Sequence, residues 1–273
     1  MNKSVTIKDK QACGNREVRI VGCEDTYIYI DACVSYISIV NCINTFVFVA
    51  SVERVCTIDK CENLTLTVAS NFIRIGNTID SVVNYYGSFH PVLFGDNRSV
   101  ILGPYNANYI GLPERIREAR ISIIQSNVTY FDDPLVVNAL ENSGTSFKIQ
   151  KIEDFINLTL PDTLKPITGN MTKAFDALYF GANENRHHHS KDGNAQEEEP
   201  GVLPILCPSA YREEIKRRHT KNIETRELIS GLQLDGDGQK LLHLILQSNF
   251  KDWLVQSGAL KPIIEMTKMI TKD

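Results

Sequence analysis

The chain has 273 residues, 42% of them hydrophobic, and a formal net charge of −4. That length holds one large domain or two ordinary ones. The acidic balance gives no global footprint for nucleic acid, and no apolar run reaches the roughly 20 residues that span a bilayer. Met1-Asn-Lys-Ser leads into alternating apolar residues with no secretory pattern, so a soluble intracellular protein is expected.

Ser4-Val-Thr-Ile7 reads as an opening strand, followed by a polar loop through Gly14-Asn15. A repeat then begins. Val18-Arg-Ile-Val-Gly-Cys-Glu-Asp25, Ile37-Ser-Ile-Val-Asn-Cys-Ile-Asn44 and Cys56-Thr-Ile-Asp-Lys-Cys-Glu-Asn63 start 19 residues apart. A fourth block, Ile73-Arg-Ile-Gly-Asn-Thr-Ile-Asp80, arrives two residues early. A second series, Ile28-Tyr-Ile30, Val47-Phe-Val49 and Leu66-Thr-Val68, steps by the same 19. Two short strands therefore recur in each unit. A unit this small cannot bury its own apolar face, so stacked units must share one core. Alternation within each strand puts Ile73 and Ile75 inward and Arg74 outward. A parallel β-helix fits this pattern; a Greek-key sandwich fits the short strands but not the constant step.

Cys23, Cys42 and Cys61 share one phase of the repeat, where reduced thiols act as small apolar fillers. No C-x-x-C pair is present, so no zinc site is expected. Beyond Gly87, Pro91 opens an apolar strand, Gly95-Asp-Asn turns, and Val100-Ile-Leu102 forms the next strand. A short helix is expected over 113–119, with Pro113 in its first turn, as a cap on the end of the coil. Residues 121–131 read as a further strand ended by Asp132-Asp-Pro134, and 131–181 as a capping, irregular extension. Residues 182–200 are polar and charged and read as a disordered linker; His187-His-His189 lies within it without a rigid frame for a metal. The remainder, 201–273, reads as helical. Pro208 and Ser209 start one helix, and Lys216-Arg-Arg-His219 lies on it as a solvated basic face. Asp235-Gly-Asp-Gly238 has Leu246 where a calcium loop needs its glutamate, so it reads as a loop and N-cap. Leu242, Leu246, Phe250, Trp253 and Leu254 then form the apolar stripe of an amphipathic helix, ended by Gly258. A last helix is expected over 262–270.

No catalytic triad, phosphate loop or metalloprotease motif is present. His90 and the Asp132-Asp133 pair sit at turns and read as structural. Arg74, outward on a rigid sheet, is the one residue placed to meet a partner's nucleotide as an arginine finger.

The cysteine-bearing repeats, followed by Pro91-Val-Leu-Phe-Gly-Asp-Asn-Arg-Ser-Val100 and Gly103-Pro-Tyr-Asn-Ala-Asn-Tyr-Ile-Gly-Leu112, resemble the cofactor C-like domain of the tubulin-binding cofactor C family. Pro208-Ser-Ala-Tyr211 and Asn249-Phe-Lys-Asp-Trp-Leu254 are similar to the helical tail of its centrosomal branch. The resemblance implies a right-handed parallel β-helix over 1–130 and a non-enzymatic cytoskeletal role at the centrosome, spindle pole or basal body and in Golgi positioning. It implies protein partners, tubulin or centrosomal proteins among them, a cytoplasmic location, no cofactor and no metal. Phe72 and Arg74 would belong to the binding face. In members that activate a GTPase, an Arg follows a Gln-x-x spacing, and Arg74 falls on that position. Asn71-Phe-Ile precedes it here, so the Gln is absent. The alternative implied by the family is therefore a GTPase activator or folding cofactor acting on tubulin or an Arf-like GTPase, with Arg74 as the finger.

Overall fold

The computed structural model describes residues 4–122, 130–137, 146–158, 160–161, 164, 206–231 and 236–256. Its main body is a parallel β-solenoid of about five turns. One strip of pairing runs through β1 (Ser4–Asp9), the first halves of β3 (Thr26–Val40), β4 (Phe46–Asp59) and β5 (Thr65–Gly76), then β6 (Val82–Tyr86), β8 (Val100–Pro104) and β10 (Phe147–Ile149). A second strip runs through β2 (Glu17–Val21), the second halves of β3, β4 and β5, then β7 (Val92–Phe94) and β9 (Leu135–Val137). The third side is a line of single parallel bridges, Glu24 to Ile43 to Glu62 to Ile79 to Arg98.

The register is the one the repeat implies. Ile28, Val47, Leu66, Val83 and Leu102 stack in one inward row. Ile20, Ile39, Ile58, Ile75 and Leu93 stack in another. From Ile39 to Leu93 this second row is wholly shielded from water. Burying a side chain of this size contributes roughly 1.5–3 kcal/mol, so each added turn extends a core that no single turn could make.

The corners explain the spacing of Asn, Asp and Gly. Each turn carries a pair of left-handed residues: Gly22 and Asp25, Asn41 and Asn44, Lys60 and Asn63, Asn77 and Asp80, Gly95 and Ser99. Asn, Asp and Gly tolerate that backbone better than other residues, and the pair bends the chain on either side of the bridge residue. Asn63 Nδ2 also donates to Asn44 Oδ1 at 2.8 Å, tying one corner to the next. The residues between carry the inner column. Cys42 and Cys61 are buried there, with Sγ donating to Val40 O at 3.5 Å and Asp59 O at 3.4 Å. Thr78 and Asn97 continue the column, bonding to Gly76 O at 2.7 Å and Phe94 O at 2.9 Å. Cys23 begins it and is half-buried.

Between β1 and β2 the loop contains a single helical turn, α1 (Lys10–Cys13). The helix expected near 113–119 is α2 (Leu112–Glu118), with Pro113 in its first turn. It does not cap the coil. It lies along the outside, where Tyr105, Tyr109, Leu112 and Ile116 pack on Phe48, Ala50 and Ala69. Those outward positions are aromatic or small, so the outer surface of the first strip is itself apolar and needs a cover. Beyond β8, the core is instead completed by Phe131, Phe155, Cys207 and Tyr211. Tyr211 lies in the first turn of α3 (Ser209–Gly231), 6.0 Å from Phe131 and 5.1 Å from Phe155, ring to ring. Its hydroxyl donates to Gln150 O at 2.6 Å, just past β10.

The chain divides into two compact units, Met1–His219 and Thr220–Asp273. The second contains α4 (Gly236–Gln256), the expected amphipathic helix; Leu241, Leu244, Ile245, Leu246 and Phe250 on it are exposed. Most of the strand expected at 121–131, the linker with His187–His189, and the segments around Gly258 and 262–270 lie outside the described residues. Residues 155–158, within the extension expected to be irregular, have no strand pairing.

Candidate partner-docking face

The outer surface of the second strip carries the residues of interest. Register sets Arg19, Ser38, Thr57, Arg74, Val92 and Leu135 in one outward row. Glu17, Tyr36, Val55 and Phe72 form the row beside it. Strand alternation puts them there because Ile37, Cys56 and Ile73 between the rows face inward. Phe72 and Arg74, expected on the outward face of the coil, both lie on this outer surface. Arg74 is exposed, and Phe72 is half-buried.

Arg74 has a defined seat. Its guanidinium carbon lies 4.9 Å from the centroid of the Phe94 ring. Phe94 is paired with Gly76 across the strip, and a Cβ on Gly76 would lie 2.2 Å from the ring. The bare backbone at Gly76 thus lets the ring lie flat, and the ring carries the cation. An exposed cation–π contact of this kind contributes about 0.5–1 kcal/mol. No carboxylate forms an ion pair with Arg74 among the described residues. Its charge is therefore available to another molecule.

A second arginine–aromatic pair lies on the same face. Arg54 Nη1 donates to the Tyr36 hydroxyl at 3.0 Å, with Cζ 5.5 Å from the ring centroid. This bond, ahead of the nearby charges of Tyr36 and Glu53, raises the pKa of Arg54 further. Glu17, Tyr36, Ser38, Val55 and Thr57 border a shallow open groove. Glu17 is paired with Arg19 at 2.8 Å.

Asn71 stands where the resemblance placed a glutamine. Its amide donates to Glu53 O at 2.6 Å and to Ala119 O at 2.9 Å, and its Oδ1 accepts from Ser88 Oγ at 2.8 Å. It clamps the end of α2 to the coil. On the far side of α2, Arg115 pairs with Asp31 at 3.1 Å, and the Tyr109 hydroxyl donates to Asp31 at 2.6 Å. Lys10 pairs with Glu118 at 2.5 Å.

Other candidates are structural. His90 Nδ1 lies 2.7 Å from Asp133 O and its ring 4.6 Å from that of Tyr130, so the pair ties the returning chain to β7. Asp132 and Asp133 sit in a turn, as expected. No group of three or more His, Cys, Asp or Glu that could hold a metal occurs among the described residues. The two motifs that carried the resemblance are architectural: Asn97 is a corner residue, and a Cβ at Gly103 would meet Gln150 Oε1 at 2.1 Å. Sequence reasoning missed Phe94, Gly76, Arg54, Tyr36 and Asn71. The row alignment held the signal for Gly76 and Tyr36, which adjoin the inward Ile75 and Ile37; Arg54 lies in a register shift between Val52 and Val55, and Phe94 lies beyond the regular step.

Residues 15–133 match the family model described as tubulin binding cofactor C. The chain is similar to TBCC domain-containing protein 1 of Gallus gallus, with 19% identity over 256 residues, 94% of this chain and 40% of that protein. It is likewise similar to TBCC domain-containing protein 1 of Mus musculus, with 21% identity over 257 residues and the same shares. The chain thus spans about 40% of the length of these curated relatives.

Proposed function

We propose, for a chain that carries a tubulin binding cofactor C domain at residues 15–133, a non-enzymatic cytoskeletal role at the centrosome, spindle pole or basal body and in Golgi positioning. The work is protein docking. Tubulin is the first candidate partner, from the family's description, and centrosomal proteins are the second. The observation that carries this reading is the outer face of the second strip, where Tyr36, Arg54, Phe72, Arg74 and Phe94 stand on a stiff stack of strands. Aromatic and arginine side chains are the residues that dominate protein interfaces. Strands in a shared core hold them in place before a partner arrives, which lowers the ordering cost of association. A tagged copy should concentrate at the centrosome or basal body and lose that enrichment with Arg74→Ala plus Phe72→Ala. A diffuse cytosolic signal from the unaltered protein would overturn the reading.

One observation favours a second reading, activation of GTP hydrolysis on tubulin or an Arf-like GTPase. Arg74 is exposed, seated on Phe94, and has no ion-pair partner among the described residues. A finger needs that availability, because it must reach transition-state charge on another protein. GTP turnover by each GTPase would be measured with the unaltered chain and with Arg74→Ala. Loss of a finger costs about 10³-fold or more in rate. Absence of any stimulation by the unaltered chain sinks the second reading and leaves the docking role.

A further inference from the structure

We infer that the open first turn of the coil is closed by a second copy of the same chain, the two β1 strands running antiparallel along a shared edge. The inference goes beyond the docking role proposed above, since it concerns the end of the coil and not its second strip. The two ends of the coil differ. Beyond β8 the core is closed by Phe131, Phe155, Cys207 and Tyr211. At the opposite end Cys13, Val18 and Cys23 pack on the core yet stay half-buried. The first turn also leaves Val5 62%, Ile7 44% and Val21 58% exposed. A solenoid that stops at such a turn needs a cover for its last layer.

Of the two strands in that turn, β1 is the open one. It is the end strand of the first strip and pairs with β3 alone among the described residues. Edge strands are ordinarily guarded by charge, proline or a bulge. β2 carries Glu17 and Arg19 and is guarded in this way. Ser4-Val-Thr-Ile7 has neither charge nor proline, and its register on β3 is unbroken. Its β-branched residues suit a further strand.

Sequence and charge both select a second copy as that strand. With Thr6 facing Thr6, antiparallel pairing sets Val5 of each copy opposite Ile7 of the other. Both positions are outward, in register with Tyr27 and Tyr29, because Ile28 and Ile30 face the core. Apolar side chains thus meet across the edge, and threonine meets threonine, a pair joined through hydroxyls. The two-fold axis through Thr6, normal to the first strip, brings the second strip of one copy into line with the third side of the other. Arg16 and Arg19 border the first turn where the second strip begins, and Glu24 and Asp25 border it on the third side. Arg16, Glu24 and Asp25 have no ion pair among the described residues. The axis lays the two arginines of each copy along the two acids of the other. It also turns the two second strips to opposite flanks, so one dimer presents Arg74 twice.

Sedimentation velocity of the full chain over a range of concentrations tests this. A species of twice the 30.7 kDa chain mass should grow with concentration. Val5→Lys with Ile7→Lys sets lysine opposite lysine at both outward pairs and should weaken association about tenfold or more. Val5→Lys with Ile7→Glu sets lysine opposite glutamate and should associate about tenfold more tightly than the lysine pair. Far-UV circular dichroism and the melting temperature check that the variants fold; Val5→Ser with Ile7→Ser replaces the lysine pair if it does not. A monomer at every concentration overturns the inference and leaves the edge to some other occupant. A dimer that the lysine pair leaves intact overturns it too, because the contact then lies elsewhere. Equal association by the lysine pair and the lysine–glutamate variant overturns the antiparallel register on which it stands.

Discussion

At the scale of single residues, glycine and asparagine do as much as the apolar core. Gly76 exists as glycine because Phe94 occupies the space of its Cβ, at 2.2 Å. Gly76→Ala should drive the ring off the strand and cost about 1–3 kcal/mol, the usual penalty of overpacking. Urea unfolding would show it, and the centrosomal enrichment of a tagged copy should weaken too, because Arg74 loses its seat. Unchanged stability would mean that the ring does not rest there. Asn63 makes a parallel case. It holds φ 49° and donates to Asn44 at 2.8 Å. Asn63→Ala should cost about 1–2 kcal/mol from the left-handed backbone alone, on top of the lost bond. Asn63→Gly removes the same bond but keeps the backbone, so it should be milder. Equal denaturation midpoints for the two variants would refute the backbone argument.

At the scale of elements, the strands were readable and their coverings were not. A 19-residue step through Ile28, Val47 and Leu66 is enough to place a parallel strip, because side chains alternate and equivalent positions must stack. Arg74 could be placed outward for the same reason. The seat of Arg74 could not, since Phe94 follows the turn that is two residues short and stands just before a longer corner at Gly95–Ser99. The position of α2 was misjudged because Pro113 in a first turn marks where a helix starts, not what it packs against. Tyr29, Phe46 and Phe48 lie outside the first strip and pull α2 onto the coil's flank. Phe155 has no periodic neighbours at all, yet it is wholly buried. Only the fold reveals that it and Tyr211 complete the core. Tyr211→Ala should therefore destabilise the first unit by about 3–5 kcal/mol, in the range of large aromatic truncations. Ending the chain after His219, where the first unit ends, should leave its melting temperature nearly unchanged. Ending it before Leu206 should lower it sharply, because Cys207 and Tyr211 leave with the helix. If both truncations melt alike, α3 contributes nothing to the core.

At the scale of the whole molecule, a solenoid is a statement about alignment, and thiol chemistry can read it. Of the seven cysteines, Cys33, Cys42, Cys56, Cys61 and Cys207 are buried, and only Cys13 and Cys23 are half-buried. The thiolate is the reactive form. Burial pushes the Cys13 and Cys23 thiols above their ordinary range, so even these two should react slowly near neutral pH. Burial pushes Cys207 up to about 12 and Cys56 higher still. Cys61 is raised by its hydrogen bond with Cys42 and then by burial, and both sit where no reagent reaches. Titration of the folded chain with a chromogenic disulfide should thus label Cys13 and Cys23, faster as pH rises. The other five should react only at the rate of unfolding and together, because one continuous core protects Cys42, Cys56 and Cys61. Early labelling of Cys42 or Cys61 ahead of Cys23 would mean that the turns are not stacked in this register. Labelling of Cys207 alone among the five, with the rest still protected, would instead locate the weak point at the start of α3. That pattern would make the helical cover a separately opening part of the first unit.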